Sequence, residues 1–170
     1  MKSTDNTIIL KPFKVKDAPM HLAGEDADQQ RWVSGGKSTL ETVEAWIKKN
    51  QEYWNNNGPV FNFAIWDVQS HELLGMIEAN IDPNKVEGIQ EGDANISYGL
   101  YPKARSKGYI TKAVALIEKF LKEKGLEHAV MRINKENISS LKVPERCGYQ
   151  ETGKITTKDG EELVIFTKGL

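Results

Sequence analysis

Apolar residues along the chain follow two spacings, and the places where one gives way to the other set out its elements. Thr7-Ile8-Ile9-Leu10-Lys11-Pro12-Phe13 is a short apolar run checked by proline, which predicts a first strand ending near Pro12. Asp17-Ala18-Pro19 predicts a helix start, with Asp17 as cap and proline in the first turn. Ser38-Thr39-Leu40-Glu41 has the Ser-x-x-Glu form of a capping box. Leu40, Val43, Trp46, Ile47, Tyr53 and Trp54 then recur at helical spacing until Asn55-Asn56-Asn57-Gly58-Pro59 stops the run. From Val60 the spacing becomes partly alternating. Val60 to Val68 and Glu72 to Ile81, either side of Gln69-Ser70-His71, predict an antiparallel hairpin. A polar loop from Asp82 to Asp93 leads to a strand over Ala94 to Tyr101, closed by Pro102. Ile110, Ala113, Val114, Ile117 and Leu121, broadened by Leu116 and Phe120, form the strongest helical stripe, and Lys122-Glu123-Lys124-Gly125 ends it. A strand from His128 to Ile133, a short helix from near Asn137, and strands over Tyr149–Thr156 and Glu162–Thr167 complete the chain.

The order β-α-α-β-β-β-α-β-α-β-β predicts an α+β (mixed αβ) fold with one β-α-β crossover at its centre. No repeat or linker divides it, so residues 1–170 read as a single domain, and 170 residues are ample for a core. No apolar run approaches the roughly 18 residues of a membrane-crossing helix. Lys and Arg total 23 against 24 Asp and Glu, a net charge of −1, so bulk charge does not point to nucleic acid. An anionic ligand must therefore be held locally. The single Cys147 cannot pair within the chain, and Met1-Lys2-Ser3-Thr4-Asp5 has no apolar signal region, so a cytoplasmic setting is expected. His21, His71 and His128 lack zinc-ligand spacing and read as surface or boundary residues, so no metal is expected.

Chemistry is best sought at Arg105-Ser106-Lys107-Gly108-Tyr109-Ile110, between a strand and the strongest helix. Such a loop aims unpaired backbone N–H groups and the positive end of a helix at one point. Gly108 permits close approach, and Arg105 and Lys107 add charge, which suits a pyrophosphate. Alone, the hexapeptide is equally compatible with a solvated basic loop around a glycine turn. Gly36-Lys37-Ser38 echoes the end of a phosphate-binding P-loop, but Arg31 stands where the first glycine is required, and a capping box explains it better. The Glu25-Asp26-Ala27-Asp28 run reads as a solvated helix end, although it would also suit a polyamine pocket.

In context the loop is more specific. Arg105-x-x-Gly108-x-Ile110 resembles the Arg-x-x-Gly-x-(Gly/Ala) pyrophosphate loop of the GNAT superfamily of N-acetyltransferases, with Ile110 in place of the usual small residue. The stretch Tyr98-Gly99-Leu100-Tyr101-Pro102-Lys103-Ala104-Arg105 resembles that family's Tyr-Trp-Leu-x-Pro-x-x-Arg, with Gly99 where the pattern has tryptophan. Asn137-x-x-Ser140 followed by Arg146-Cys147-Gly148-Tyr149 resembles its Asn-x-x-Ser…Lys-x-Gly-Phe signature. Leu10-Lys11-Pro12-Phe13, Asp17-Ala18 and Phe63-Ala64-Ile65 are similar to the ribosomal-protein N-terminal acetyltransferase (RimJ/RimL-like) branch, so the likeness runs from about Thr7 to Thr167.

The resemblance implies an acyl-CoA N-acyltransferase fold with a mixed, splayed central sheet, and acetyl-CoA as co-substrate. Tyr98, Gly99, Leu100 and Tyr101 are then the expected contacts of the pantetheine arm. The amides of Ser106, Lys107, Gly108, Tyr109, Ile110 and Thr111 would hold the pyrophosphate, and Asn137 the pantetheine. Arg146 lies near the nucleotide end or is a solvated helix charge. A backbone N–H near Leu100 is the expected oxyanion donor. The family's usual tyrosine acid is replaced by Pro144, which makes Ser140 the candidate acid, with Tyr101 second. Pro144 also has no N–H for the Ser140 carbonyl, which then needs water, co-substrate or a bent helix. Asn95 replaces the family's common glutamate base, leaving Glu78 or Asp93. An α-amine titrating near 8 could also be deprotonated by a water chain alone. Trp32 is the aromatic expected to face the acceptor, while Trp46 and Trp54 read as core. The expected activity is transfer of an acetyl group to a primary amine, on a protein N-terminus or a small molecule, by direct attack in a ternary complex. Asn95, Pro144 and Ile110 keep open a non-catalytic acyl-CoA-binding module. No nucleic-acid or membrane partner is expected, and relatives are often monomers or homodimers.

Overall fold

The computed structural model describes residues 1–3 and 5–170; Thr4, within the polar N-terminal stretch, lies outside the described residues. Strand β1 (Ile8–Lys11) is followed by a 3-10 turn (Val15–Asp17) and helix α1 (Ala18–Gly24). A single turn α2 (Ala27–Gln29) runs into a π-helical turn (Gln30–Ser34) before α3 (Leu40–Asn55). Strands β2 (Val60–Asp67), β3 (Leu73–Asn80) and β4 (Asp93–Leu100) precede α4 (Tyr109–Glu123) and β5 (His128–Asn134). Helices α5 (Ile138–Leu141) and α6 (Val143–Arg146) lead to β6 (Gln150–Thr156) and β7 (Glu162–Gly169). One sheet holds all seven strands in the order β1-β2-β3-β4-β5-β7-β6, antiparallel except where β4 meets β5.

The two faces of β2 and β3 separate the core into layers. Phe61, Phe63, Ile65 and Ile77 pack with Ile110, Ala113, Val114, Ile117 and Leu121 of α4 on one face. On the other, Ala64 and Met76 pack with Phe13, Ala18, Val43 and Ile47 of the α1 and α3 layer. Beyond β5, Val130, Leu163 and Ile165 are covered by Val86 and Ile89 from the loop before β4.

Three local expectations are corrected. The box that starts α3 is one residue later than Ser38-x-x-Glu41: Thr39 Oγ1 accepts from Thr42 N–H at 3.2 Å, and Thr42 Oγ1 accepts from Thr39 N–H at 2.9 Å. Ser38 is engaged instead by Glu25, donating its N–H and hydroxyl to the carboxylate. The single short helix expected after Asn137 is broken at Lys142, as Pro144 requires. The Ser140 carbonyl orphaned by that proline accepts from the Tyr98 hydroxyl at 3.4 Å and from the Lys142 N–H that caps α5.

Glycines permit two close approaches near the ends of β3 and β4. Gly75 has φ +154°, opposite a register shift between Ile65 and Trp66, and a Cβ there would collide with the Gly99 carbonyl oxygen and lie 2.8 Å from Leu100 Cα. At Gly24 a Cβ would lie 2.6 Å from the Tyr101 ring. Gly75→Ala should therefore lower stability by roughly 2–5 kcal/mol, since backbone cannot move aside as a flexible side chain can. Urea unfolding should show the fall as a lower midpoint with an unchanged slope.

Candidate active site

Strands β4 and β5 pair over three residues only, Asp93↔His128, Ala94↔Ala129 and Asn95↔Val130. Both continue, β4 to Leu100 and β5 to Asn134, so they part after Asn95. The Tyr101 N–H donates to the Leu74 carbonyl. Antiparallel alternation then turns the N–H and C=O groups of Tyr98 and Leu100 away from β3 and into the gap. A cleft of about 740 Å³ opens at this place, lined by side chains from α1, the π-helical turn, α3, β3, β4, β5, α5 and β7.

On the α4 side lies the loop that the sequence singles out. The backbone N–H groups of Ser106 to Thr111 enter no backbone hydrogen bond among the described residues. Gly108 is the N-cap residue of α4 at φ +75°, without a side-chain cap, and a Cβ there would meet nothing within 4 Å. Left-handed Gly108 followed by helical residues turns successive N–H groups toward one point, which with the helix dipole is a receptor for a phosphate group. Lys103 and Lys107 are exposed beside it.

Arg105 is placed differently from the sequence expectation of a free loop charge. Its Nε donates to the Leu100 carbonyl at 3.0 Å, Nη1 and Nη2 each donate to Asp26 at 2.8 Å, and Nη1 also reaches Asp28 at 3.1 Å. Asp26 Oδ1 in turn caps α2 by accepting from the Gln29 N–H. The acidic run read as a solvated helix end is thus engaged: Asp26 and Asp28 hold Arg105, and Glu25 holds Ser34 and Ser38. The groups that the loop leaves open are its backbone N–H groups and the two lysines.

The cleft wall carries a row of polar groups across four strands. Asn62 on β2 donates to Glu78 Oε2 on β3 at 2.9 Å, and Glu78 is paired across the ladder with Ser97 on β4. Asn95 Nδ2 donates to Ser97 Oγ, and Arg132 Nε on β5 donates to Asn95 Oδ1. Burial pushes the Glu78 carboxyl above its ordinary value, with the Asn62 amide opposing in part. Asp93, weighed with Glu78 as a base, lies at the paired end of β4 against His128 Nδ1, away from the cleft. Ser140 and Asn137 line the opposite wall. Asn137 caps α5, its Oδ1 accepting from the Ser140 N–H at 3.2 Å and the Ser139 hydroxyl at 3.0 Å. Arg146 is exposed and donates back to the Lys142 carbonyl.

The wall formed by α1, the π-helical turn and α3 is aromatic. Trp32, in the π-helical turn, lines the cleft beneath the Arg31 guanidinium, 4.2 Å from its ring centre. Arg31 pairs with Glu136 at 2.6 Å, from the segment after β5. Trp46 lines the cleft and stacks on His21, whereas Trp54 donates its indole N–H to the Asn62 carbonyl in the core. His21 is not the surface or boundary residue expected: it is buried, and its Nδ1 lies 2.7 Å from the Tyr101 hydroxyl. Burial lowers the His21 value and raises that of Tyr101, so a protonated phenol and a neutral imidazole share this hydrogen bond. Tyr101 is directed into this pair. Nothing in the helical spacing around His21 marked it, because its partner is 80 residues away.

The Arg105 tie carries a pH signature. The Asp26 carboxyl is held below its ordinary value chiefly by its hydrogen bonds with Arg105. A depressed carboxylate contributes stability that is complete above its unfolded value, near 3.9, and is lost as pH falls through the folded one. The thermal midpoint of the wild type minus that of Asp26→Asn should be constant from neutral pH to about 5 and should shrink below about 4. A difference that stays flat into acid would show the tie to be without consequence.

Residues 7–150 match the acetyltransferase (GNAT) domain family. The N-acetyltransferase YycN of Bacillus subtilis (strain 168), itself uncharacterized, is 25% identical over 96 residues, which are 55% of this chain and 60% of YycN. The match thus spans less than two thirds of that relative. Among solved structures, the microcin C7 self-immunity acetyltransferase MccE, in complex with acetyl-CoA and AMP, superposes with a TM-score of 0.80 at 17% identity, over 97% of this chain and 93% of that one. An acetyltransferase of Salmonella typhimurium that modifies the N-terminal serine of ribosomal protein L7/L12 superposes with a TM-score of 0.79 at 14% identity, over 96% and 95%. At such identities these two likenesses speak to the fold, which is the splayed mixed sheet described above. With the family match covering most of its length, the chain belongs to the GNAT acetyltransferase family.

Proposed function

We propose that the protein is an acetyl-CoA-dependent N-acetyltransferase that moves an acetyl group to a primary amine, on a protein N-terminus or a small molecule, by direct attack in a ternary complex. The observation that carries this reading is the parting of β4 and β5 beside the unpaired N–H groups that begin α4. An extended amide-bearing arm fits the strand-like gap, and a pyrophosphate fits the loop. Acetyl-CoA supplies both, together with an acyl group activated as a thioester.

The chain's own groups then divide the work. Backbone N–H groups of Ser106 to Thr111 hold the anion, Tyr98 and Leu100 offer strand pairing, and Asn137 an amide contact. The Leu100 N–H polarises the thioester oxygen. Glu78, whose carboxyl burial raises above its ordinary value and so makes a stronger base, takes the proton of the attacking amine. The Ser140 hydroxyl faces the leaving sulfur, and Trp32 floors the acceptor side.

Acetyl-CoA at a hundredfold excess over its Kd should stabilise the protein by about 2.7 kcal/mol, several degrees in Tm for this length. No shift at saturation would remove the reading. Release of free CoA thiol with a panel of amines then distinguishes an enzyme from a non-catalytic acyl-CoA binder. With a responsive amine, kcat/KM should rise with pH through a limb above the ordinary carboxylate range, because the base works only when deprotonated. Glu78→Gln should abolish that limb and lower kcat roughly 10²–10⁴-fold. Ser140→Ala should lower kcat more than it weakens CoA binding, and an unchanged kcat would remove Ser140 from the chemistry.

A further inference from the structure

Four basic side chains of the chain are half-buried: Arg105, Lys112, Arg132 and Lys168. Arg105 pairs with Asp26, Lys112 with Asp5 and Lys168 with Glu118. Arg132, on β5, makes no ion pair among the described residues. Its Nε donates to Asn95 Oδ1 at 3.2 Å and its Nη1 to the Glu87 carbonyl at 2.7 Å, both neutral acceptors. Burial lowers its value from the ordinary one, and the more distant Glu87 and Glu161 carboxylates oppose this only in part. A cation drawn partly out of water without an anion beside it costs free energy that a bound carboxylate would offset.

The guanidinium has room for such a ligand. Nη2 has no partner among the described residues and is not enclosed, so solvent reaches it. Arg132 lines the cleft together with Glu78 and Ser97. Glu78 lies across the ladder from Ser97, and Asn95, which holds Arg132 Nε, stands two positions before Ser97 on the same face of β4. Glu78 and Arg132 are thus the two ends of one row. The two β4 positions between them are roughly 7 Å apart. An acceptor with its amine at Glu78 and an anion at Arg132 therefore carries those groups several bonds from one another. The other cations of the cleft are placed differently, Arg31 being taken by Glu136 and Lys37 exposed.

Resting on the acetyltransferase reading above, we infer that Arg132 is a specificity-determining residue, and that the acceptor is a primary amine bearing a carboxylate several bonds away. The amine lies at Glu78 and the carboxylate at the Nη2 end of the guanidinium, whose fork suits it. Such a molecule is an ω-amino acid, or a peptide with an acidic residue next to its N-terminus.

Two matched pairs of acceptors test this: ω-aminohexanoate with ω-aminohexanamide, and peptides beginning Ser-Glu with peptides beginning Ser-Gln. On the wild type, kcat/KM for the carboxylate member should exceed that for its amide roughly 10–100-fold in one pair, as for a hydrogen bond to a charged group. The responding pair identifies the source, small molecule or protein N-terminus. In Arg132→Met the ratio should fall to within about twofold of unity, and Arg132→Lys, which keeps the charge without the fork, should retain part of it. Because each ratio is taken on one protein, loss of packing at Arg132 affects both members alike and cancels. A wild type without the preference in either pair, or an Arg132→Met variant that keeps it, would overturn the inference while CoA release with other amines left the acetyltransferase reading in place. A wild type that neither binds acetyl-CoA nor acetylates any amine would overturn both.

Discussion

Three rungs of parallel pairing between β4 and β5 are the constraint on which the rest depends. With more rungs the sheet would be continuous and without a cleft. With none, the β1–β4 and β5–β7–β6 portions would be joined only through α4 and the loops. A backbone N–H or C=O group must be paired or reach a ligand or solvent. Strand edges facing one another across a gap therefore form a binding surface made by the main chain, largely indifferent to which side chains it carries. The same fold can persist at 14–17% identity for this reason. The chemistry needs a parted ladder and a helix start, and many sequences build those.

Side chains decide how the gap is furnished. Arg105 joins the end of β4 to the cap of α2, so the wall behind the gap and the cover above it are tied together. The tie is partly exposed and of modest strength singly, but it fixes groups that packing alone would leave loose. On the other side of the gap, the Tyr98 hydroxyl supports the Ser140 carbonyl, which Pro144, lacking an N–H, cannot pair. A departure from the family pattern is thus accommodated by a residue of the same site.

Much of this was legible in the sequence because it is local. The stripe from Ile110 to Leu121, the hairpin around Gln69-Ser70-His71 and the loop at Gly108 each depend on residues close together along the chain. The β-α-α-β-β-β-α-β-α-β-β order followed, apart from the added turn at α2 and the break at Lys142. What stayed hidden depends on distant partners. Arg105 reads as a loop charge until Asp26 is seen 79 positions away, and His21 as a boundary residue until Tyr101 is seen against it. Ser38 and Thr39 are equally good caps on paper; the demand of Glu25 on Ser38 selects the other.

The engagement of Glu25, Asp26 and Asp28 has a kinetic consequence. The single Arg105 guanidinium offsets one of the three carboxylates, and the serines hold Glu25 without neutralising it, so a local negative charge persists here in a chain whose net charge is only −1. A cation nearing this face meets a local attraction that the bulk charge conceals, and one that salt screens. Such steering acts on charge alone, and any finer selection falls to contacts made at the aromatic wall and the polar row.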